Sequence, residues 1–248
     1  MEEAQTFERP FCDILADAIR FNIFANCNVD SLPIDLIGAN CKASILHSVL
    51  SIESLANCLV SSLALGKKLH EGVEKMRSVD KINLFLRMNH CDELDFGVEP
   101  NQSISQLISV RNDYVHPKAL GYKDSVSEEE MLVERESKEY KVLGLPKDPF
   151  RWHVNHSTEV LRVVDKFFSH VFIEKLKWEP EQVAFHTQGV IWLGSKYQVT
   201  FRKENLDIFL DVKESKNLKL DYMFFPPDGF DNYSVQYKPA EQGIVPNP

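Results

Sequence analysis

The chain has 248 residues, 44% of them apolar and 26% charged, with a formal net charge of −9. That length accommodates one large domain, or a domain of about 150 residues with an appendage, and the composition excludes wholesale disorder. The acid excess gives the chain no general attraction for nucleic acid, so any RNA contact has to rest on a local basic patch.

The cysteines, at 12, 27, 41, 58 and 91, include no Cys-x-x-Cys pair. Cys41 and Cys58 lie in apolar, helical sequence, which fits small buried hydrophobes in a reducing compartment. The N-terminal MEEAQTFERP lacks the basic-then-apolar layout of a signal peptide, so the expected location is cytoplasmic. Residues 43–65 are the most apolar stretch, but His47, Glu53 and Asn57 interrupt them. A buried helix is expected there rather than a membrane span.

Residues 11–24 carry Phe11, Ile14, Leu15, Ala18 and Ile19 at helical spacing. Residues 34–65 predict one long helix or a broken pair, striped by Ile45, Val49, Ile52, Leu55, Leu59 and Leu63, with Gly66 as its end. Residues 70–88 give a further helical segment broken near Ser78, where Ser78 or Asp80 is placed to cap a new helix. Pro100 forces a break. Asn101–Val115 is then a helix, capped by Asn101 or Ser103, with Ile104, Leu107, Ile108, Tyr114 and Val115 at three- and four-residue steps. Pro117 stops it, because the residue before a proline is pushed out of helical geometry.

Residues 124–139 hold seven acids against Arg135 and Lys138, and Ser127 with Glu130 makes a capping box, so a short exposed helix is expected. A loop with Gly144, Pro146 and Pro149 follows. Ser157 then opens a helix through Val160, Leu161, Val164, Phe167, Phe168, Val171 and Phe172 that ends near residues 178–180. Beyond Pro180 the period changes to two: Tyr197, Val199 and Phe201, then Leu206, Ile208, Leu210 and Val212, then Leu218, Leu220 and Tyr222. The expected organisation is a helical bundle over 1–178 and a small antiparallel β appendage with a loose tail over 179–248. The fold class is mainly α.

One segment breaks its own pattern. Ile104, Leu107 and Ile108 predict an apolar residue at 111, and Arg111 stands there instead, followed by Asn112 and, four residues further on, His116. A guanidinium on the buried side of a helix is costly unless it finds an anion or several acceptors. Asn112 and His116 share one flank, and His116 falls at the helix C-terminus, where the dipole attracts positive charge. Arginine and histidine at a helix end suit phosphodiester cleavage. The imidazole exchanges a proton with a ribose hydroxyl or leaving oxygen, and the guanidinium holds the phosphate. The same residues admit a structural role, with Arg111 tying helices together through Glu53 or Glu99 and His116 capping the helix. Around them, Arg111, Lys118 and Lys123 face only Asp113 between 101 and 123, a local basic excess that suits a small phosphate site.

The segment resembles the signature of the HEPN superfamily, an arginine, a polar residue that is often asparagine, and a histidine with four to six residues between the two ends. Arg111, Asn112 and His116 match those places. The helix carrying Ile52-Glu53-Ser54-Leu55-Ala56-Asn57 and the helix start Val79-Asp80-Lys81-Ile82 also look like the family, and the likeness in pattern covers roughly residues 10–178. The resemblance implies an up-and-down helical bundle that dimerises and brings two motif helices into one cleft. It implies a metal-independent endoribonuclease of the toxin–antitoxin, phage-defence or RNA-processing kind, needing no cofactor. His116 would be the acid–base residue, Arg111 the phosphate binder and Asn112 a supporting group, with Glu53, Asn57, Tyr114 and Lys118 around them. The implied partners are RNA, a second copy of the chain, and an antitoxin or other protein. The subgroup paired with small nucleotidyltransferase antitoxins has a tyrosine two residues after the histidine, whereas this chain has Pro117 and Lys118. The other reading the resemblance allows is a noncatalytic module that binds a nucleotide, RNA or protein.

Other constellations carry less. His153 and His156 have metal-ligand spacing but no cysteine or acid beside them, and the following Ser157 makes them a helix approach. Trp192, Tyr197 and Phe201 with Lys196, Arg202 and Lys203 mimic a single-strand stacking surface, although strand cores look the same.

Overall fold

Helix α1 (Phe11–Cys27) forms because Phe11, Leu15, Ala18 and Ile19 fall on one stripe, and that stripe is buried against α2 (Ile34–Ser61). The computed structural model describes residues 5–27, 33–63, 65–117, 124–127, 132–135, 138–193, 196–215 and 217–226. The two helices approach closely at small residues. Ser44 is fully buried and its hydroxyl donates to the Ala18 carbonyl at 2.8 Å. Ser48 and Ser51, also buried, donate to carbonyls of their own helix. Each buried hydroxyl thus keeps a hydrogen bond that would otherwise be lost with water. By length and composition α2 could cross a membrane, yet 67% of its most apolar window is buried inside this fold.

Two short helices follow, α3 (Lys67–Glu74) and α4 (Ser78–Met88). The break falls near Ser78 as expected, but neither Ser78 nor Asp80 is the cap. Arg77 takes that position in extended geometry and its guanidinium pairs with Asp80 at 2.7 Å. Helix α5 (Asn101–Val115) has the expected bounds, with Pro100 rather than Asn101 or Ser103 at its N-cap. Asn101 is buried and donates to the Asp95 carbonyl, while Ser103 donates to Glu99. Glu99 is therefore engaged locally.

The acidic segment departs from expectation. Where a capping box predicts a helix, strands β2 (Asp124–Ser127) and β3 (Leu132–Arg135) pair antiparallel, Val126 opposite Val133. Valine at both facing positions favours the pleated arrangement, and clustered carboxylates repel along a helix face. A two-residue pair, β4 (Glu139–Tyr140) with β5 (Leu145–Pro146), leads into a 3-10 turn at Pro149–Arg151.

Helix α6 (Val154–Ser169) starts three residues before Ser157, and a π-helical turn (His170–Lys175) extends it. The His153 backbone N–H donates to His156 Nδ1 at 3.0 Å, and the two rings stack. That pair builds a helix N-terminus. Phe11, Phe168 and Phe172 cluster in edge and tilted contacts, and Asn22 bridges α1 to Ser157 at 2.8 Å.

The region after residue 179, described as far as residue 226, contains antiparallel strands as expected but also two helices, and the expected tail lies outside the described residues. It begins with α7 (Pro180–Thr187), continues with strands β6 (Gly189–Leu193) and β7 (Lys196–Thr200), and then forms α8 (Lys203–Glu214). The alternation of Leu206, Ile208, Leu210 and Val212 belongs to a helix. Leu206, Phe209 and Val212, three apart, are the buried set, and helix-favouring Lys, Glu and Leu surround them. Residues 218–222 do not form a strand either. Leu220 has φ 49° and its N–H, with that of Lys219, donates to the buried Asp165 carboxylate of α6. The small sheet takes its third strand, β1 (Gln5–Phe7), from the N-terminus, in the order β1-β6-β7 and antiparallel throughout. A Cβ on Gly189 would lie 2.5 Å from Thr200 Oγ1, so any larger residue there would force the Thr200 side chain to shift. Val183, Phe209, Leu220 and Tyr222 share one core cluster with Phe11 and Phe168, so packing runs across residue 178. The chain is mainly helical with a small antiparallel sheet.

Candidate functional site

Helix α5 is held by Ile104, Leu107 and Val110, all buried, with Ile108 half-buried beside them. Arg111 comes one step off that stripe, on the flank facing α2. Its side chain is 32% exposed and lies 3.5 Å from the Glu53 carboxylate, and its second guanidinium nitrogen donates to Asn112 Oδ1 at 3.1 Å. The arginine that breaks the apolar pattern is therefore neither buried nor loose. It is a half-exposed guanidinium between a carboxylate and an amide.

Asn112 and His116 lie on the outer flank, both exposed. His116 leaves helical geometry (φ −120°, ψ 66°) while its N–H still donates to the Asn112 carbonyl at 2.9 Å. Pro117 then prevents another turn. The imidazole is thus carried at the C-cap, five residues and more than one helical turn beyond Arg111, and is exposed. Among the described residues no side-chain hydrogen bond joins His116 to a neighbour.

The residues expected to support this trio are distributed differently. Glu53 meets Arg111, as the structural alternative anticipated. Asn57, one turn along α2, accepts from the buried Lys81 Nζ at 2.8 Å instead and so links α2 to α4. Tyr114 turns to the opposite flank, where its ring stacks on the buried Trp152 with centroids 5.8 Å apart. Lys118 lies outside the described residues. The remaining motif neighbour, Asp113, accepts from the Tyr140 hydroxyl at 2.7 Å. Burial first, then that carboxylate, holds the phenol protonated well above its ordinary range.

Sequence reasoning missed a cavity of about 490 Å³ on that opposite flank, between α5, the early part of α2 and residues 140–152. Its walls come from Tyr114, Tyr140, Phe150 and Trp152, with Lys42 and Lys147 at its edge. Gln106 secures the far wall by accepting from the N–H groups of Val142 and Leu143, both at 2.9 Å. Only the cluster of aromatics around the proline-rich turn hinted at it. The other aromatic candidate dissolves into packing: Trp192 and Phe201 lie against a small core of Phe185, Val190, Val199 and Phe224. Among the described residues no cluster of His, Cys, Asp and Glu has the arrangement to hold a metal ion. Cys12, Cys41 and Cys58 are buried thiols, and burial raises all three out of the reactive range.

Comparison of the chain with protein-family models, with curated proteins and with solved structures finds no match.

Proposed function

We propose that the chain is an endoribonuclease of the HEPN type, a helical up-and-down bundle that cuts RNA without a metal ion, in a cleft shared by two copies. The observation that supports this most directly is the arrangement at the end of α5. A half-exposed guanidinium is held by Glu53 and Asn112, and an exposed imidazole stands five residues further on, at the C-cap of the same helix. A surface ion pair of this kind contributes about 1 kcal/mol at most. Arg111 can therefore exchange Glu53 for a phosphate, which accepts two parallel N–H bonds and carries charge that grows in the transition state.

In this mechanism one His116 takes the proton from the ribose 2′-hydroxyl as its oxygen attacks phosphorus. The P–O5′ bond breaks, and the second copy's imidazole, already protonated, gives its proton to the departing 5′-oxygen. The products are a 2′,3′-cyclic phosphate and a 5′-hydroxyl. Arg111 holds the non-bridging oxygens throughout, and Asn112 fixes the guanidinium plane. The pairing of two copies is what supplies both a base and an acid.

A noncatalytic binding module is the second reading, and the Arg111–Glu53 contact favours it, since that pair joins α5 to α2. Incubation of purified protein with total RNA and tRNA in EDTA separates the two, with Arg111→Ala and His116→Ala purified identically. Cleavage by the wild type that both folded variants lose, by about 100-fold or more, supports the nuclease. Intact RNA with wild type, or equal cutting by the variants, overturns it and leaves the binding module.

A further inference from the structure

The cavity on the other flank of α5 is not used by this mechanism, and its chemistry is specific. Its rings are held in place from behind. Trp152 is 3% exposed with its indole N–H donating to the Pro146 carbonyl at 2.7 Å, and Tyr140 is fixed by Asp113. Tyr114 stacks on Trp152 with an interplanar angle of 25°, which braces the exposed Tyr114 ring as a wall of the space. Phe150 is 88% exposed on the 3-10 turn, an unusual place for a phenylalanine with no burial to gain. Two ammonium groups complete the site: Lys42 sits 4.8 Å over the Phe150 ring and Lys147 5.3 Å over the Tyr140 ring. Both hold their charge on aromatic faces. Among the described lining residues Asp113 is the one carboxylate, and Tyr140 already engages it.

Aromatic faces with cations at the rim match a flat, π-rich ligand that carries an anion. The volume suits one small organic molecule. An apolar peptide side chain would leave both lysines without a counter-charge, and a free anion would leave the rings idle.

We infer that this cavity takes one unpaired nucleotide, its base against Tyr114, Trp152 and Phe150 and its phosphate between Lys42 and Lys147. Every base has a π-face, so the pocket discriminates strandedness more than sequence. The inference rests on the nuclease reading only in assigning that nucleotide to the RNA substrate. It then makes the substrate single-stranded, held by a base on one flank of α5 while the backbone passes its C-terminal end toward His116.

The test is calorimetric titration of the wild type with AMP, GMP, CMP and UMP, with adenosine and inorganic phosphate as separate probes. All four monophosphates are expected to bind, adenosine about tenfold more weakly, and phosphate weaker still. Phe150→Ala should weaken nucleotide and nucleoside alike by about tenfold, the loss of one base stack. The double variant Lys42→Ala with Lys147→Ala should weaken AMP by about tenfold and leave adenosine unchanged. A wild type that binds the nucleotides but leaves RNA intact in EDTA would keep the pocket and discard the nuclease. Absence of binding by all four nucleotides, phosphate binding as tight as AMP, or affinities indifferent to all these substitutions in variants with wild-type melting curves would each overturn the assignment. So would self-association through Phe150 in place of nucleotide binding.

Discussion

Two of the described arginine–histidine neighbourhoods are opposites in burial. At one end Arg9 is 7% exposed and His186 is 3% exposed. The Arg9 guanidinium donates to the Phe185 carbonyl and lies over the Phe185 ring, while His186 stacks on Trp178 with centroids 4.3 Å apart. At the other end Arg111 and His116 reach solvent at the C-terminal end of α5. Arg9 is met by two backbone carbonyls and a ring, while the buried His186 is held by ring stacking, with its Nδ1 lacking a hydrogen-bond partner among the described residues. The surface pair has a weak carboxylate partner and an open approach. Residue type is the same in both places, and the environment decides which pair packs the fold and which can meet a substrate.

The comparison breaks most visibly at Arg9. Arg9→Ala leaves the carbonyls that line its site without a donor and opens a void, and the expected loss is about 3 kcal/mol or more. Urea denaturation measures it, and a loss under about 1 kcal/mol would mean the guanidinium is not a structural group. Arg111→Ala should instead cost less than about 1 kcal/mol in the same assay.

Acid should act through His186. Burial first, then the nearby Arg9 charge, lowers it to about 3 from the ordinary 6.5. The folded state therefore refuses a proton that the unfolded chain accepts. This contribution to stability is complete above about pH 6.5 and is lost as pH falls toward 3, by about 1.4 kcal/mol per pH unit. Unfolding free energies at pH 7 and pH 5 should differ by about 2 kcal/mol in the wild type, and His186→Phe should flatten that difference. An unchanged pH dependence in the variant counts against a buried neutral imidazole.

Asp165→Ala should cost about 2 kcal/mol, because the carboxylate alone satisfies the Lys219 and Leu220 amides where the chain turns through the left-handed region. Asn57→Ala should cost about 1 kcal/mol and leave RNA cleavage intact, since Asn57 serves Lys81 and not Arg111. Cleavage lost in a folded Asn57→Ala would return that residue to the site.

The helices that build the bundle were legible because their apolar stripes are long: α1, α2, α5 and α6 fall where Ile and Phe recur at helical steps. The segment containing α8 misled because Leu206, Ile208, Leu210 and Val212 alternate while Phe209, the residue that fixes the buried face, sits between them. The 124–135 hairpin was hidden by a capping-box pattern in a segment whose charges oppose a helix. Strand β1 could not be seen locally, since its partner β6 lies more than 180 residues away. At the candidate site, Arg111 was legible as a break in periodicity and Glu53 as its structural partner. The diversion of Asn57 to Lys81 and of Tyr114 to Trp152 depended on helix rotation, which spacing alone leaves open. The aromatic cavity joins residues from three separate segments and needed the fold.

The most direct measurement is end analysis of RNA cut in EDTA by the wild type and by His116→Ala. The account predicts 2′,3′-cyclic phosphate and 5′-hydroxyl ends with the wild type, and their loss in a variant that melts normally. Fragments bearing 5′-phosphates, or cyclic-phosphate ends made equally well without His116, would contradict it.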